Sequence, residues 1–315
     1  MCMAALLFLR RTVPAILFAS ILLGAWTSSD AKVAGRLDDT PRIAVISAFE
    51  PELDLLRSEL RQADSHSING VVFMTGMLQN KPVVLFLSGI SMTNAAMNTQ
   101  LVLDRFNVTH VIFSGVAGGV NPGLHIGDVT VVERWGQYLE TVAALEIESG
   151  RYDTMGVGGD VDAPGFLMFF TRPVMVRSAN RLDMHEKFWF DVDPGLLAAA
   201  RRIQDVELTD CDAKGQCLPH RPSVVVGGNG VSGPVFVDNT ALREHLYEAF
   251  QANVVDMESA ACAMVAYSNG VPFIAFRSLS DLAGGGDDAG EVHTFLNLAA
   301  ENSSRVLLAF LKAWQ

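Results

Sequence analysis

Short runs of apolar residues alternate with longer segments of helical periodicity along most of the chain. The short runs predict buried strands, and the longer segments predict helices that bury one face. Strands are predicted at residues 42–48, 70–75, 82–87, 108–114, within 123–132, and at 223–226, 253–255 and 271–276. Helices are predicted to begin at Glu50 and to cover residues 93–106, 194–203, 238–250, 258–267 and 292–314. This alternation predicts an α/β fold with one domain over residues 42–315.

The segment from Trp135 to Phe190 lacks a regular pattern. We expect irregular excursions there that carry part of a pocket or of an interface. Trp189 and Phe190 could line an apolar subsite, and they could equally belong to the core.

Two carboxylates stand in different backbone settings near the end of the chain. Glu258 lies at the corner between a short apolar strand and an Ala-, Met- and Cys-rich helix, and Asp281 follows the next apolar strand. Ligands of open parallel sheets bind beyond the carboxyl ends of the strands, so both acids could face one pocket. Arg277 and Ser280 follow the same strand as Asp281. Helix-dipole and turn preferences would also explain each acid taken singly.

Two glycine-rich segments are candidates for ligand-binding loops, and only the first is consistent with one. The segment 115–119 is predicted to be a turn whose side chains are so small that a ligand could lie against its backbone amides. Close packing of a helix on a strand would favour the same small residues. The segment 228–233 formally matches G-x-G-x-x-G, but it continues into Pro234 and an apolar run instead of opening a helix. We therefore reject a dinucleotide site and predict no cofactor.

Composition limits the classes of partner. The chain has 315 residues, half of them hydrophobic, and a formal net charge of -12. A chain of this length can bury a sizeable core. Nucleic acids and anionic membranes attract clustered Lys and Arg, which this acidic sequence lacks.

The first residues are typical of an export signal. Arg10 and Arg11 precede an apolar stretch at 13–26, and residues 29–31 resemble a cleavage site. We predict a signal peptide at 1–31, a linker at 32–41, and a secreted or periplasmic protein with no membrane contact after cleavage. An uncleaved anchor is the alternative, but the stretch is shorter than the roughly 20 residues that span a bilayer.

The cysteines agree with an oxidising compartment. Cys211 and Cys217 flank a polar, turn-rich loop, and we predict a disulfide between them. A metal site is disfavoured, because His220 is the only other soft ligand nearby and structural zinc takes four ligands. Cys262 is interpreted as a small buried hydrophobe, and Cys2 would leave with the signal.

Five ordered stretches together resemble the nucleoside phosphorylase superfamily. The resemblance is closest to its 5'-methylthioadenosine/S-adenosylhomocysteine nucleosidase branch and to the secreted plant members that include bark storage proteins. It spans about residues 42–312 and implies a single-domain, three-layer α/β/α fold with a central mixed sheet. The stretches are Ile43–Glu52, Ser114–Gly119 with Gly127–Val129, Gly230–Phe236, Val255–Glu258 and Arg277–Asp281.

The resemblance implies a purine nucleoside as the small-molecule substrate and a homodimer as the assembly. Asp281 matches the acid at purine N7, Glu52 the acid that activates water, and Glu258 the residue that holds the ribose hydroxyls. Such roles are chemically reasonable, because breaking an N-glycosidic bond builds positive charge on the sugar and negative charge on the base. The further implied substrate-binding residues are Met257, Phe236, Val237, Val116, Ala117, Gly118, Arg277 and Ser280.

Three functions remain open on this site: a nucleosidase, a phosphorylase, and a nucleoside-binding or storage protein without catalysis. Val116 replaces a Ser of the nucleosidases, which removes one polar contact to the nucleophile. Phosphate needs cationic or amide donors, yet the segment after the first strand carries Glu50, Glu52 and Asp54 before Arg57. The acids favour water as the nucleophile and therefore hydrolysis.

Overall fold

The computed structural model describes residues 35–154, 156, 164–203, 206–285 and 291–314. Residues 36–315 form one compact unit. The predicted signal peptide at 1–31 lies outside the described residues. The predicted linker lies partly outside them, and its last four residues, 38–41, belong to the first strand.

Six helices and a larger number of strands make up the described part of the chain. The helices are α1 Glu50–Glu59, α2 Met92–Arg105, α3 Pro194–Ala200, α4 Thr240–Phe250, α5 Ser259–Asn269 and α6 Glu291–Ala313. The first strands are β1 Asp38–Ser47, β2 Arg61–Ile68, β3 Val71–Leu78, β4 Lys81–Leu87, β5 Phe106–Gly119, β6 Val129–Val131, β7 Arg134–Gln137, β8 Thr141–Ala143 and β9 Leu145–Glu148. The others are β10 Arg151–Asp153, β11 Phe169–Thr171, β12 Val174–Ser178, β13 Arg181–Lys187, β14 Trp189–Asp191, β15 Val224–Val226, β16 Asn229–Ser232, β17 Ala252–Asp256 and β18 Phe273–Asp281.

Twelve of these strands form the central sheet, nine of them in the order β14-β7-β16-β17-β5-β1-β4-β3-β2. The other three branch from β5: β18 pairs with β5, β6 pairs with β18, and β15 pairs with β6. The sheet is mixed: β1 pairs in parallel with β4 and β5, whereas β17 meets the end of β5 in antiparallel fashion. Helix α1 packs with α6 and α2 packs with α5, and these pairs are the outer layers. The predicted three-layer α/β/α fold with a mixed sheet is therefore confirmed.

The strand that bears the predicted glycine turn is longer than expected. Residues 115–119 continue β5 and pair with β18 on one side and with β17 on the other, so the prediction of a turn was wrong. The small residues serve close packing: a Cβ on Gly119 would lie 3.0 Å from Leu279. Likewise β18 runs to Asp281, so Arg277 and Ser280 lie within a strand and not in the loop after it.

Other differences come from exposed strands. Strand β2 has a polar sequence, is almost wholly exposed and pairs only with β3 at the sheet edge. Its sequence therefore lacks the apolar pattern from which a strand is predicted. The irregular segment from Trp135 to Phe190 contains short strands and hairpins, many of them exposed. Phe190 is fully buried, and Trp189 packs beneath the guanidinium of Arg134 at 4.4 Å. Phe190 is thus a core residue, and Trp189 is half-buried and packs against the core.

The cysteine loop agrees with the prediction. The Sγ atoms of Cys211 and Cys217 lie 1.97 Å apart, at disulfide distance, and Cys262 is a buried free thiol. The G-x-G-x-x-G segment lies largely in β16, and the next helix begins only at Thr240, as the rejection of a dinucleotide site requires. Within the described ranges, the longest helices are too short or too polar to cross a bilayer.

Candidate active site

A cavity of about 200 Å³ opens where several central strands end. Glu52 enters it from the first turn of α1, which follows β1, and Glu258 enters it from the corner between β17 and α5. Asp281 is the last residue of β18. The other described residues that line it are Ala48, Phe49, Ile90, Val116, Ala117, Gly118, Val235, Phe236, Val237, Val255, Asp256, Met257, Ser280 and Leu296.

Glu52 is held by two backbone amides. Its Oε2 accepts a hydrogen bond from the Ala48 amide at 2.6 Å, and its Oε1 accepts one from the Val116 amide at 2.8 Å. Burial raises the pKa of this carboxyl to about 7, although Arg277 opposes the rise. A carboxyl with a pKa near neutrality can accept and return a proton at working pH.

Helix α6 supports the same region from the outer layer. The Ser304 hydroxyl donates to the Glu52 carbonyl at 3.2 Å. The Ser303 hydroxyl accepts from the Gly115 amide at 3.0 Å and donates to the Phe276 carbonyl at 2.9 Å. These contacts tie β5, β18 and α1 together beneath the cavity.

Glu258 is the N-cap residue of α5. Its Oε1 accepts from the Ser91 amide at 2.8 Å, and its Oε2 lies 3.3 Å from Nη2 of Arg277. Burial raises the pKa of this carboxyl, with Arg277 opposing the rise and Asp256 adding to it.

Arg277 is fully buried at the centre of a group that we call the Arg277 cluster, formed with Glu52, Asp256 and Glu258. Its Nε lies 2.8 Å from Oδ2 of Asp256, and its Nη1 lies 3.8 Å from Oε1 of Glu52. The guanidinium also lies 4.1 Å from the ring centre of Phe113. Burial by itself would lower the pKa of Arg277, but the three carboxylates together raise it, so the side chain stays charged.

Asp281 stands apart from this cluster. Its Oδ2 accepts from the Ser280 hydroxyl and its Oδ1 from the Ala283 amide, both at 2.8 Å. Burial raises the pKa of Asp281, and the two hydrogen bonds only partly offset that effect. No Lys, Arg or His of the described residues forms an ion pair with it. The carboxyl therefore favours its protonated form more than an exposed Asp does.

Two glycines allow the carboxylates to approach the strand. A Cβ on Gly115 would lie 2.4 Å from both Nη1 of Arg277 and Oε1 of Glu52. A Cβ on Gly118 would lie 3.1 Å from Oδ1 of Asp281. The absence of side chains at these positions is what lets the acids sit directly above the backbone of β5.

The remaining walls are apolar, and one aromatic residue stands at the rim. Phe236 is 59% exposed, which is unusual for so large an apolar side chain. Val237 is buried beside it, and Met257 is half-buried at the corner before Glu258. A planar apolar ligand would cover Phe236.

The cavity brings together ten of the eleven predicted site residues. The exception is Arg277, which lies beneath the cavity and reaches it only through carboxylates. Sequence analysis missed Asp256, the third carboxylate of the cluster. Its position at the end of a buried strand was the available signal, because that is the setting used to select Asp281. In the described part of the chain, no three His, Cys, Asp or Glu residues are arranged to hold a metal.

This fold and this site define a class: the chain belongs to the phosphorylase superfamily, whose sequence model matches residues 42–312. Among its relatives is the 5'-methylthioadenosine/S-adenosylhomocysteine nucleosidase of Bacillus cytotoxicus, which is 32% identical over 274 residues, or 86% of this chain and 98% of the relative. The nucleosidase of the same name from Bacillus thuringiensis is 30% identical over 271 residues, with the same shares covered. The predicted resemblance is confirmed.

Solved structures give the same result. A nucleosidase of this name from Colwellia psychrerythraea, in complex with adenine, is 26% identical with a TM-score of 0.65, over 87% of this chain and 95% of that one. One from Neisseria meningitidis, in complex with methylthio-immucillin-A, is also 26% identical with a TM-score of 0.62, over 86% and 98%. The prediction of an N-glycosidic bond hydrolase agrees with the names of these relatives.

Proposed function

We propose that this protein hydrolyses the N-glycosidic bond of a purine nucleoside, with a 5'-substituted nucleoside such as 5'-methylthioadenosine or S-adenosylhomocysteine as substrate. The observation that carries the proposal is the pairing, in one cavity, of a buried carboxyl without a cation and a set of carboxylates around Arg277. The substrate class is supported by the nucleosidase relatives and by the adenine and inhibitor complexes of the neighbours.

Asp281 is proposed to act on the leaving base. As the glycosidic bond breaks, the bonding electron pair moves to the purine, and a proton or a hydrogen bond at N7 stabilises it. The raised pKa of Asp281 keeps a proton available for that step. Ser280, which donates to Oδ2, orients the carboxyl.

Glu258 is proposed to hold the ribose hydroxyls. Its carboxylate is fixed from both sides by the Ser91 amide and by Arg277. Its negative charge also favours the positive charge that develops on the sugar in the transition state. Met257 packs beside the sugar, and Phe236 stacks on the purine.

Glu52 is proposed to activate the attacking water. The Ala48 and Val116 amides hold its two oxygens, and its pKa of about 7 suits proton acceptance near neutral pH. Water loses a proton to this carboxylate as it attacks the anomeric carbon. The hydrogen bond from residue 116 to Glu52 is donated by the backbone amide. It therefore does not depend on whether the side chain at this position is Val or Ser.

Hydrolysis is favoured over phosphorolysis by the charge of the site. No Lys, Arg or His is among the described residues that line the cavity. Arg277 is committed to three carboxylates, and Arg57, on the helix that carries Glu52, pairs with Glu50 and Asp54 instead. A phosphate dianion would therefore meet carboxylates without a free cation.

The test is to incubate the protein with a panel of purine nucleosides, including both 5'-thio-substituted ones, with and without phosphate. We expect free base at equal rates in both conditions. Base release only with phosphate would make the protein a phosphorylase. No base release from any nucleoside, with binding retained, would support the hypothesis of a nucleoside-binding or storage protein without catalysis.

We also propose export, supported by the N-terminal sequence pattern and by the Cys211–Cys217 pair. Expression of the full chain followed by cell fractionation and N-terminal sequencing tests this. We expect a mature chain that begins near residue 32, outside the cytoplasm. A full-length cytoplasmic protein would contradict it.

A homodimer is proposed on the family resemblance. Exposed apolar side chains in the segment from Trp135 to Phe190, such as Leu145, Leu167 and Met168, form a surface that a second copy would cover. Light scattering at micromolar concentration is expected to return twice the mass of the chain. The mass of a single chain would contradict the proposal.

A further inference from the structure

Asp256 joins two parts of the site that the proposed mechanism treats separately. Its Oδ1 accepts from the Ser232 hydroxyl and lies 3.2 Å from the amides of both Glu258 and Ser259, at the start of α5. Its Oδ2 lies 2.8 Å from Nε of Arg277. One carboxylate therefore contacts both the backbone that carries Glu258 and the cation that Glu258 shares with Glu52.

The contact with Arg277 is electrostatic in character. The Nε–H of Arg277 is directed at the Ser259 hydroxyl at 3.0 Å, and Nη1 donates to the Val116 carbonyl at 3.0 Å. Oδ2 of Asp256 is shielded from solvent and has no hydrogen-bond donor in the described structure. The adjacent guanidinium, 2.8 Å away, stabilises its negative charge.

The carboxylates around Arg277 outnumber the cation, so a change in the charge of one carboxylate affects the others. One guanidinium faces three carboxylates, Glu52 from α1, Asp256 from β17 and Glu258 from the start of α5. The thiol of Cys262 on α5 is the other nearby titratable group, and burial raises its pKa to about 12, so it is neutral. Asp256 has the shortest ionic contact of the three. Its negative charge offsets part of the positive potential that Arg277 creates at the other two acids.

We propose that Asp256 is a positioning residue that acts through Arg277 and sets how much negative charge Glu52 and Glu258 carry at working pH. The charge distribution does not depend on the proposed function, whereas its effect on catalysis rests on it. Without the charge at position 256, the positive charge of Arg277 would be offset less, and the ionised forms of the other two acids would be more stable. The direction agrees with the raised pKa of Glu258, to which Asp256 contributes.

The test compares two neutral variants, Asp256→Asn and Asp256→Ser, with two controls. Serine can still accept hydrogen bonds from the amides at the start of α5, so it covers the case in which the Asn variant folds poorly. Asp256→Glu keeps the charge. Ser232→Ala removes a hydroxyl bonded to the same carboxylate and to the Ala260 amide, but it leaves the charge in place.

The acidic limb of kcat/KM is expected to move to lower pH by about one pH unit in both neutral variants. The limb should stay at the wild-type position in Asp256→Glu and Ser232→Ala, whatever their activity and melting temperature. An unchanged limb in a folded, active neutral variant would overturn the proposal. An equal shift in Ser232→Ala would also overturn it, because loosening of α5 would then be the cause.

A measurement without substrate separates this proposal from the proposed function. Infrared difference spectra during a pH titration follow the protonation of buried carboxyls directly. Both neutral variants should ionise these carboxyls at lower pH than the wild type. If the wild type cleaves no nucleoside but the infrared shift is present, only the proposed function fails. If the wild type is active and the spectra do not shift, only the role of Asp256 fails.

Discussion

The two ends of the cavity hold carboxyl groups in different ways. Around Arg277, three buried carboxylates share one guanidinium. At the other end, Asp281 is bound only by a hydroxyl and an amide. Burial raises the pKa of Glu52, Glu258 and Asp281, but only the two glutamates have a cation, Arg277, that opposes the rise. Arg277 therefore favours the ionised form of the acids beside it, whereas no cation among the described residues does so at Asp281.

The largest loss of kcat is expected from Asp281→Asn. Asparagine keeps the size of the side chain but cannot give a proton to the base, so kcat should fall about 10²- to 10⁴-fold. Binding of adenine should change far less. Steady-state kinetics and adenine titration measure both effects, with Asp39→Asn, at an exposed position, as the control. Near-full turnover in a folded Asp281→Asn protein would remove the distinction between the two ends.

A loss of about 10²-fold in kcat is expected from Glu52→Gln, because glutamine cannot accept the proton of water. Glu50→Gln is a matched control on the same helix, two residues earlier, where the side chain is 63% exposed. The control should retain activity within about twofold. If both variants lose activity equally, the effect comes from α1 as a whole and not from the buried carboxylate.

The pH dependence of kcat/KM is expected to distinguish the two ends of the cavity. Below the pKa of Glu52, about 7, the carboxyl gains a proton and ceases to act as a base. We therefore expect kcat/KM to fall about tenfold for each pH unit on the acidic side. Glu52→Gln should lose this limb and Asp281→Asn should keep it. A wild-type profile without an acidic limb near neutrality would show that Glu52 is not the base.

A smaller effect is expected at the rim. Phe236→Ala should raise KM about tenfold and change kcat little, since stacking of one base on an aromatic ring contributes roughly 1–3 kcal/mol. Phe236→Tyr should behave like the wild type. Phe169→Ala removes another exposed aromatic side chain, one that is not among the residues lining the cavity, and should leave KM unchanged. Equal KM for Phe236→Ala and the wild type would exclude stacking on this residue.

The sequence predicted the elements whose burial pattern is strong. The corner at Glu258 is one example: β17 is buried throughout, Gly270 ends α5 with a left-handed backbone, and both were expected from apolar runs and one glycine. Strand β2 could not be predicted in this way, because an exposed edge strand has no apolar side to reveal it. The same holds for the short exposed strands before Phe190.

The sequence predicted most of the residues that line the site, but it did not predict the contacts between those residues and neighbouring strands. The sequence predicts a turn at Gly115, and only the packing of Arg277 and Glu52 against β5 explains why a strand needs glycine there. The role of Asp256 depends on a contact between β17 and β18, two strands separated by a helix in the chain. Such distances between strands are set by the sheet and leave no local pattern in the sequence.

The identity of the sugar product distinguishes hydrolysis from phosphorolysis. The reaction is run in isotopically labelled water with saturating phosphate, and the sugar is analysed by mass spectrometry. Because carboxylates and no free cation line the described part of the cavity, we predict free sugar with the label at the anomeric oxygen. A sugar 1-phosphate without the label would show that phosphate, and not water, is the nucleophile.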